Sequence, residues 1–177
     1  PLNDPRFLGS FIFYWGQKQE TTHTWYSLFD EQGNQTEAVD IVRAVWTGKE
    51  PLYKGPKIKT MHLEGKEAKE NILLNSAATV NAEVFLETNG SVGQPGLAST
   101  AQTIKWEIYP EDWFKKDNLN NLIRPKPVEV LILKSSDLKL SFVAPEKEGP
   151  YRIFATVYDA NGHIATCNTP FYVLAAQ

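Results

Sequence analysis

Gly149-Pro-Tyr-Arg-Ile-Phe-Ala-Thr-Val-Tyr-Asp-Ala-Asn-Gly162 is the stretch that decides how this chain folds. Apolar residues alternate from Tyr151 onward, the period-two pattern of a strand with one face in a core. Asn161-Gly162 then supplies the positive-φ residues that tight hairpins favour, and a second alternating run, Ile164–Leu174, returns. Further runs of the same kind lie upstream at Lys57–Leu63, Ala78–Glu87, Thr103–Tyr109, Val128–Leu133 and Leu138–Val143. Turn residues punctuate them at Asn89-Gly90, Gln94-Pro-Gly96, Ser135-Ser-Asp137 and Glu148-Gly-Pro150. With Tyr151–Asp159 as the sixth run, these seven short strands predict a mainly β fold, a seven-stranded sandwich over residues 55–177.

Residues 1–54 have a different texture. Phe7–Trp15 is apolar almost without interruption, as in a strand covered on both faces. Trp25–Phe29 reads as a second short strand closed by the turn Asp30-Glu-Gln-Gly33. A helix follows. Thr36 is the expected N-cap, Glu37 and Asp40 suit the positive end of the dipole, and Val39, Val42, Val45 and Trp46 form a stripe at helical spacing. Gly48 and Pro51 end it, and Lys49–Pro56 reads as a linker. Strand, loop, short strand and helix cannot enclose a core by themselves.

Composition narrows the function. A net charge of −3 provides no basic footprint for nucleic acid. No apolar run approaches the roughly 20 residues needed to span a bilayer, and no signal-peptide pattern is present, so the chain reads as a trimmed or excised piece. Cys167 is the one cysteine, which excludes an internal disulfide, and His23, His62 and His163 have no paired spacing, so no metal and no cofactor is expected.

The run Gly149–Gly162, with Trp106 inside Ile104-Lys-Trp-Glu-Ile108 and Tyr151 opening the sixth strand, resembles the PKD-like and fibronectin III-like immunoglobulin folds. That resemblance implies a core tryptophan at 106 and a tyrosine corner at 151. Gly9-Ser-Phe-Ile-Phe-Tyr-Trp-Gly-Gln-Lys-Gln-Glu20, Thr24-Trp-Tyr-Ser-Leu-Phe29 and Thr36–Trp46 resemble the last β/α unit of a TIM-barrel glycoside hydrolase. It implies a sugar site floored by Trp15, a parent enzyme whose catalytic carboxylates lie on barrel strands outside this chain, and a periplasmic or extracellular location. Only a C-terminal fragment of such an enzyme fits here, because a whole barrel needs about 200 residues or more.

The candidate substrate-binding residues are therefore Trp15, Gln17 and Gln19, an aromatic face with two amides that match sugar hydroxyls. Trp113 and Phe114, in a charged loop, offer either a second carbohydrate platform or a cap on an open end of the sandwich. Glu20 lacks the second carboxylate that glycoside hydrolysis requires, so no catalytic residue is assigned. Asp159 and Asn161, near Asn118, Asn120 and Asn121 in type, are explained by turns rather than by calcium. The leading expectation is a non-catalytic C-terminal region that braces a catalytic barrel and assists polysaccharide binding. The alternative is a free-standing PKD-like adhesion or interaction module. The bare apolar strand at Phe7–Trp15 further predicts a homodimer through the N-terminal segment, or a fold-back of that segment onto the sandwich.

Overall fold

The computed structural model describes residues 5–6, 11–12, 14–18, 25–26, 28–51, 54–87, 103–123 and 125–175. Two short strands, β1 (Gln17–Lys18) and β2 (Trp25–Tyr26), pair antiparallel, and helix α1 (Glu37–Thr47) follows. The sandwich then runs β3 (Ile58–Leu63), β4 (Leu73–Asn75), β5 (Thr79–Leu86), β6 (Thr103–Pro110), β7 (Ile132–Ser136), β8 (Lys139–Val143), β9 (Gly149–Tyr158) and β10 (Ile164–Leu174). One sheet has the order β3-β5-β8-β7 and the other β4-β10-β9-β6. These are the A-B-E-D and G-F-C sheets of an immunoglobulin sandwich, with β4 added in parallel to the G strand β10.

Among the described residues the sandwich has eight strands rather than the expected seven. Leu73–Asn75 is too short to show a period. The expected Val128–Leu133 strand is also shifted. Val128 donates its N–H to the Ile108 carbonyl in one sheet, while the Leu131 carbonyl accepts from Val143 in the other. Residues 128–131 therefore cross between the sheets, and pairing with β8 begins at Ile132.

Alternation builds the core. Val80, Ala82 and Val84 of β5, Leu140 and Phe142 of β8, and Ile153, Ala155 and Val157 of β9 point inward and are buried. Trp106 is half-buried and packs against this core, its indole N–H without a hydrogen-bond partner among the described residues. The Tyr151 hydroxyl donates to the Lys147 carbonyl at 2.9 Å, forming the tyrosine corner at the start of the F strand. Cys167 points into the same core, its Sγ 3.8 Å from Met61 Sδ, and burial pushes its thiol up to about 12.

Helix α1 starts after Thr36, yet Thr36 makes no side-chain cap. Its Oγ1 instead donates to the Leu28 carbonyl. Gly48 closes the helix at φ 67°, a left-handed conformation that costs glycine little. The buried-strand expectation for Phe7–Trp15 does not hold among the described residues: Phe11, Ile12, Tyr14 and Trp15 lie outside any strand and are exposed, Phe11 by 98%. A two-face-apolar strand needs cover on both sides, and among the described residues Phe29 is the ring that leans, tilted, against Trp15. Residues 28–40 fold back onto the sandwich, one of the two outcomes expected of the N-terminal segment. Gln35 bridges to His163 in parallel, its N–H donating to Gly162 and its carbonyl accepting from Ile164.

Candidate functional site

The residues singled out in the sequence do not converge. Trp15 is 72% exposed and tilted against Phe29, with ring centroids 5.1 Å apart, while its carbonyl accepts the N–H groups of Leu28 and Phe29. Gln17 lies on β1; Gln19 and Glu20 lie outside the described residues. Trp113 is corrected as a carbohydrate platform. It is 5% exposed, packed with Tyr109 and Phe154 at 5.2 and 6.0 Å between centroids. Tyr109 and Phe154 alternate with the inward residues Ile108 and Ile153, so this is a second, small core on the outer face of the G-F-C sheet. Its neighbour Phe114 remains 71% exposed.

A site that the sequence reading missed lies where the N-terminal segment meets the sandwich. Its central turn, Asp159–His163, is of a kind found three times among the described residues. In each, an aspartate Oδ1 accepts the N–H groups two and four residues on: Gln32 and Asn34 for Asp30, Leu119 and Asn121 for Asp117, Asn161 and His163 for Asp159. The fourth residue of each turn is left-handed: Gly33 at φ 85°, Asn120 at φ 67° and Gly162 at φ 79°. The fifth reaches back to Oδ2. Asn34 does so at 2.8 Å and Asn121 at 3.2 Å through Nδ2, and His163 at 3.0 Å through Nδ1. A three-residue loop with a left-handed residue is a standard hairpin closure, and aspartate satisfies its free N–H groups.

Histidine at the fifth position adds an atom that asparagine lacks. With Nδ1–H donated to Asp159, Nε2 is an acceptor, and the Gln35 side-chain amide nitrogen stands 2.6 Å from it. Asp40 Oδ2 from helix α1 lies 3.8 Å from the same nitrogen. His163 and Asp159 are buried, and Asp40 is the only buried residue of α1. Burial raises the Asp40 pKa above the usual carboxyl range; the charges of His163 and Arg43 oppose that shift, and those of Glu37 and Asp159 add to it. Gly55 lies so close that a Cβ there would stand 2.7 Å from His163 Cβ, and Pro56 is buried. Lys57 pairs with Glu37 at the rim. The end of the expected linker is thus packed into the joint.

An Asp–His pair invites comparison with a nucleophile-activating dyad. The place where a nucleophile would stand is taken by the Gln35 amide, and the imidazole is closed to substrate by burial. Among the described residues no three His, Cys, Asp or Glu side chains converge as metal ligands would. The cluster is a polar joint between two parts of the chain.

No family model matches the chain, and no curated protein sequence matches it. Several solved structures overlap it loosely. A nucleoside hydrolase-related protein from Saccharophagus degradans, associated with carbohydrate metabolism, is 15% identical over 88% of this chain and 36% of its own, with a TM-score of 0.40. The copper resistance protein PcoC from Escherichia coli is 15% identical over 68% of this chain and 100% of its own, TM-score 0.34. A DUF4784 family protein from Bacteroides caccae is 9% identical over 68% of this chain, TM-score 0.32, and the present chain spans about a quarter of its length, 25%. Overlaps at this level say nothing about function.

Proposed function

We propose that this chain is the non-catalytic C-terminal region of a glycoside hydrolase. In that reading residues 1–54 complete a TIM barrel, Trp15 belongs to its sugar site, and the sandwich braces the barrel from outside. The observation that supports it is the orientation of α1. An amphipathic helix ordinarily turns its apolar side toward its own domain. Here Asp40 is the buried helix residue and holds the joint, while Ile41, Val45 and Trp46 are 55%, 55% and 73% exposed. Those residues, with Phe11 and Trp15, form apolar surface of the kind that further elements of a larger fold cover. The barrel is the partner; polysaccharide enters through Trp15.

Two measurements test the reading. The purified chain should turn over no aryl glycoside or polysaccharide, and activity that copurifies with it through every step would overturn the non-catalytic assignment. The coding sequence ahead of Pro1 should encode the remaining β/α units, with carboxylates ending the fourth and seventh strands. Any other kind of sequence there would remove the barrel.

A further inference from the structure

We propose that Met61 and Cys167 form a binding site for a soft, monovalent metal cation, copper(I) or silver(I), in the seam between the two sheets. The site is separate from the bracing role and does not rest on it.

The chain has one methionine and one cysteine. They stand 106 residues apart, on β3 and β10, yet Cys167 Sγ lies 3.8 Å from Met61 Sδ and donates its S–H to it. Met61 is buried and Cys167 half-buried, and both line a cleft of about 370 Å³. The topology opens that cleft. β3 ends one sheet, and β4 pairs with β10 only at Tyr172–Leu174, so the earlier part of β10 faces β3 across the seam. Thr169, two residues along the same inward side of β10, lines the cleft as well. It is 1% exposed, and its Oγ1 has no hydrogen-bond partner among the described residues. Buried hydroxyls ordinarily have one. A ligand seated in the cleft, or the thiolate that it creates, would supply it.

The donor set selects the ion. Thiolate and thioether are soft ligands that favour copper(I)-like cations, whereas calcium and magnesium want oxygen. Charge narrows the choice further. Binding breaks the Cys167 S–H bond, forms a sulfur–metal bond and releases the proton to solvent. With a monovalent cation the site is neutral before and after. A divalent cation would leave a positive charge in a poorly solvated place. Glu67, the carboxylate that lines the cleft, is already engaged by Lys69 at 2.8 Å. Geometry agrees with a cation held by both sulfurs. At a metal–sulfur distance of about 2.3 Å, sulfurs 3.8 Å apart subtend roughly 110° at the metal. That angle is well short of linear and leaves a third place for the Thr169 hydroxyl or a water.

The test is calorimetric titration of the whole chain with silver(I), added as the nitrate in chloride-free buffer. One ion should bind per chain. Met61→Leu keeps an apolar side chain of similar volume and removes only the thioether. It should weaken binding at least about tenfold, and Cys167→Ala should abolish it. No binding to the parent chain overturns the site, as does one ion per two chains, which would mark a thiol-bridged pair. Affinity undiminished in Met61→Leu also overturns it, because an isolated thiol would then suffice, and so does binding that survives Cys167→Ala. Should Met61→Leu fail to fold by circular dichroism, X-ray absorption of the silver-loaded parent decides. Two sulfur neighbours per metal, at one metal per chain, support the pair, since the chain has no other sulfur. A single sulfur neighbour overturns it.

Discussion

The loop after β6 and the turn after β9 contain the same five-residue closure and put it to opposite uses. The Asp117–Asn121 turn is exposed and bonds mostly to itself. Its loop is held down by Trp113, a hydrophobic anchor inserted against Tyr109 and Phe154. The Asp159–His163 turn exposes Ala160 and Asn161 but buries the Asp159 carboxylate and the His163 ring, and it is held by polar contacts with a distant part of the chain. Of the four positions at which the two turns differ, the fifth residue sets how far the network reaches. Asparagine ends the network inside the turn; histidine extends it by one ring to Gln35 and Asp40. A fixed backbone solution thus becomes a joint without any change in its own geometry.

If that contrast is right, the two regions must fail differently. The largest effect is expected in the loop: Trp113→Ala should cost about 3–5 kcal/mol, as emptying a buried aromatic site does, whereas Phe114→Ala next door should stay within about 0.5 kcal/mol. Urea melts of the two variants check this, and equal losses would mean that the loop is not anchored by Trp113. In the turns the order reverses. Asp159→Ala removes a buried acceptor of three hydrogen bonds and should cost about 2–3 kcal/mol, while Asp117→Ala, in an exposed turn, should cost under about 1 kcal/mol. Similar values for both would erase the distinction.

The smallest effect is a pH slope. The pKa of Asp40 is raised in the folded chain, so the native state holds its proton more tightly than the unfolded state does. Stability from this group is present at low pH and is lost as pH rises from the carboxyl's ordinary 3.8 through the raised value. Asp40→Asn should flatten that part of the stability–pH curve and leave the chain no less stable at pH 8, as thermal melts at stepped pH would show. An unchanged slope would assign it to another carboxyl.

Period and punctuation made the sandwich legible before its coordinates. Ile164–Leu174 matches its strand to the residue, and Thr79–Leu86 lies one residue inside each expected boundary. Tyr151 closes the corner that its place in the pattern implied. What escaped was whatever lacks a period. Leu73–Asn75 is held by pairing with β10, and residues 128–131 are turned by bonds to two different sheets. The joint was hidden for a related reason: Gln35, Asp40, Asp159 and His163 are up to 128 residues apart and each is unremarkable alone. A signal did exist, because aspartate followed at the third and fourth places by glycine or asparagine and then by asparagine or histidine occurs three times in the sequence.

The lone thiol gives the sandwich a built-in clock. Cys167 faces inward beside Met61, where β10 comes up against β3, and with its pKa near 12 almost none of it is thiolate in the native fold at neutral pH. A disulfide reagent added at pH 8 should therefore react slowly with the half-buried Cys167, and faster in any variant that loosens β10 from β3. The labelling rate, compared between the parent chain and its variants, times the loosening of that seam.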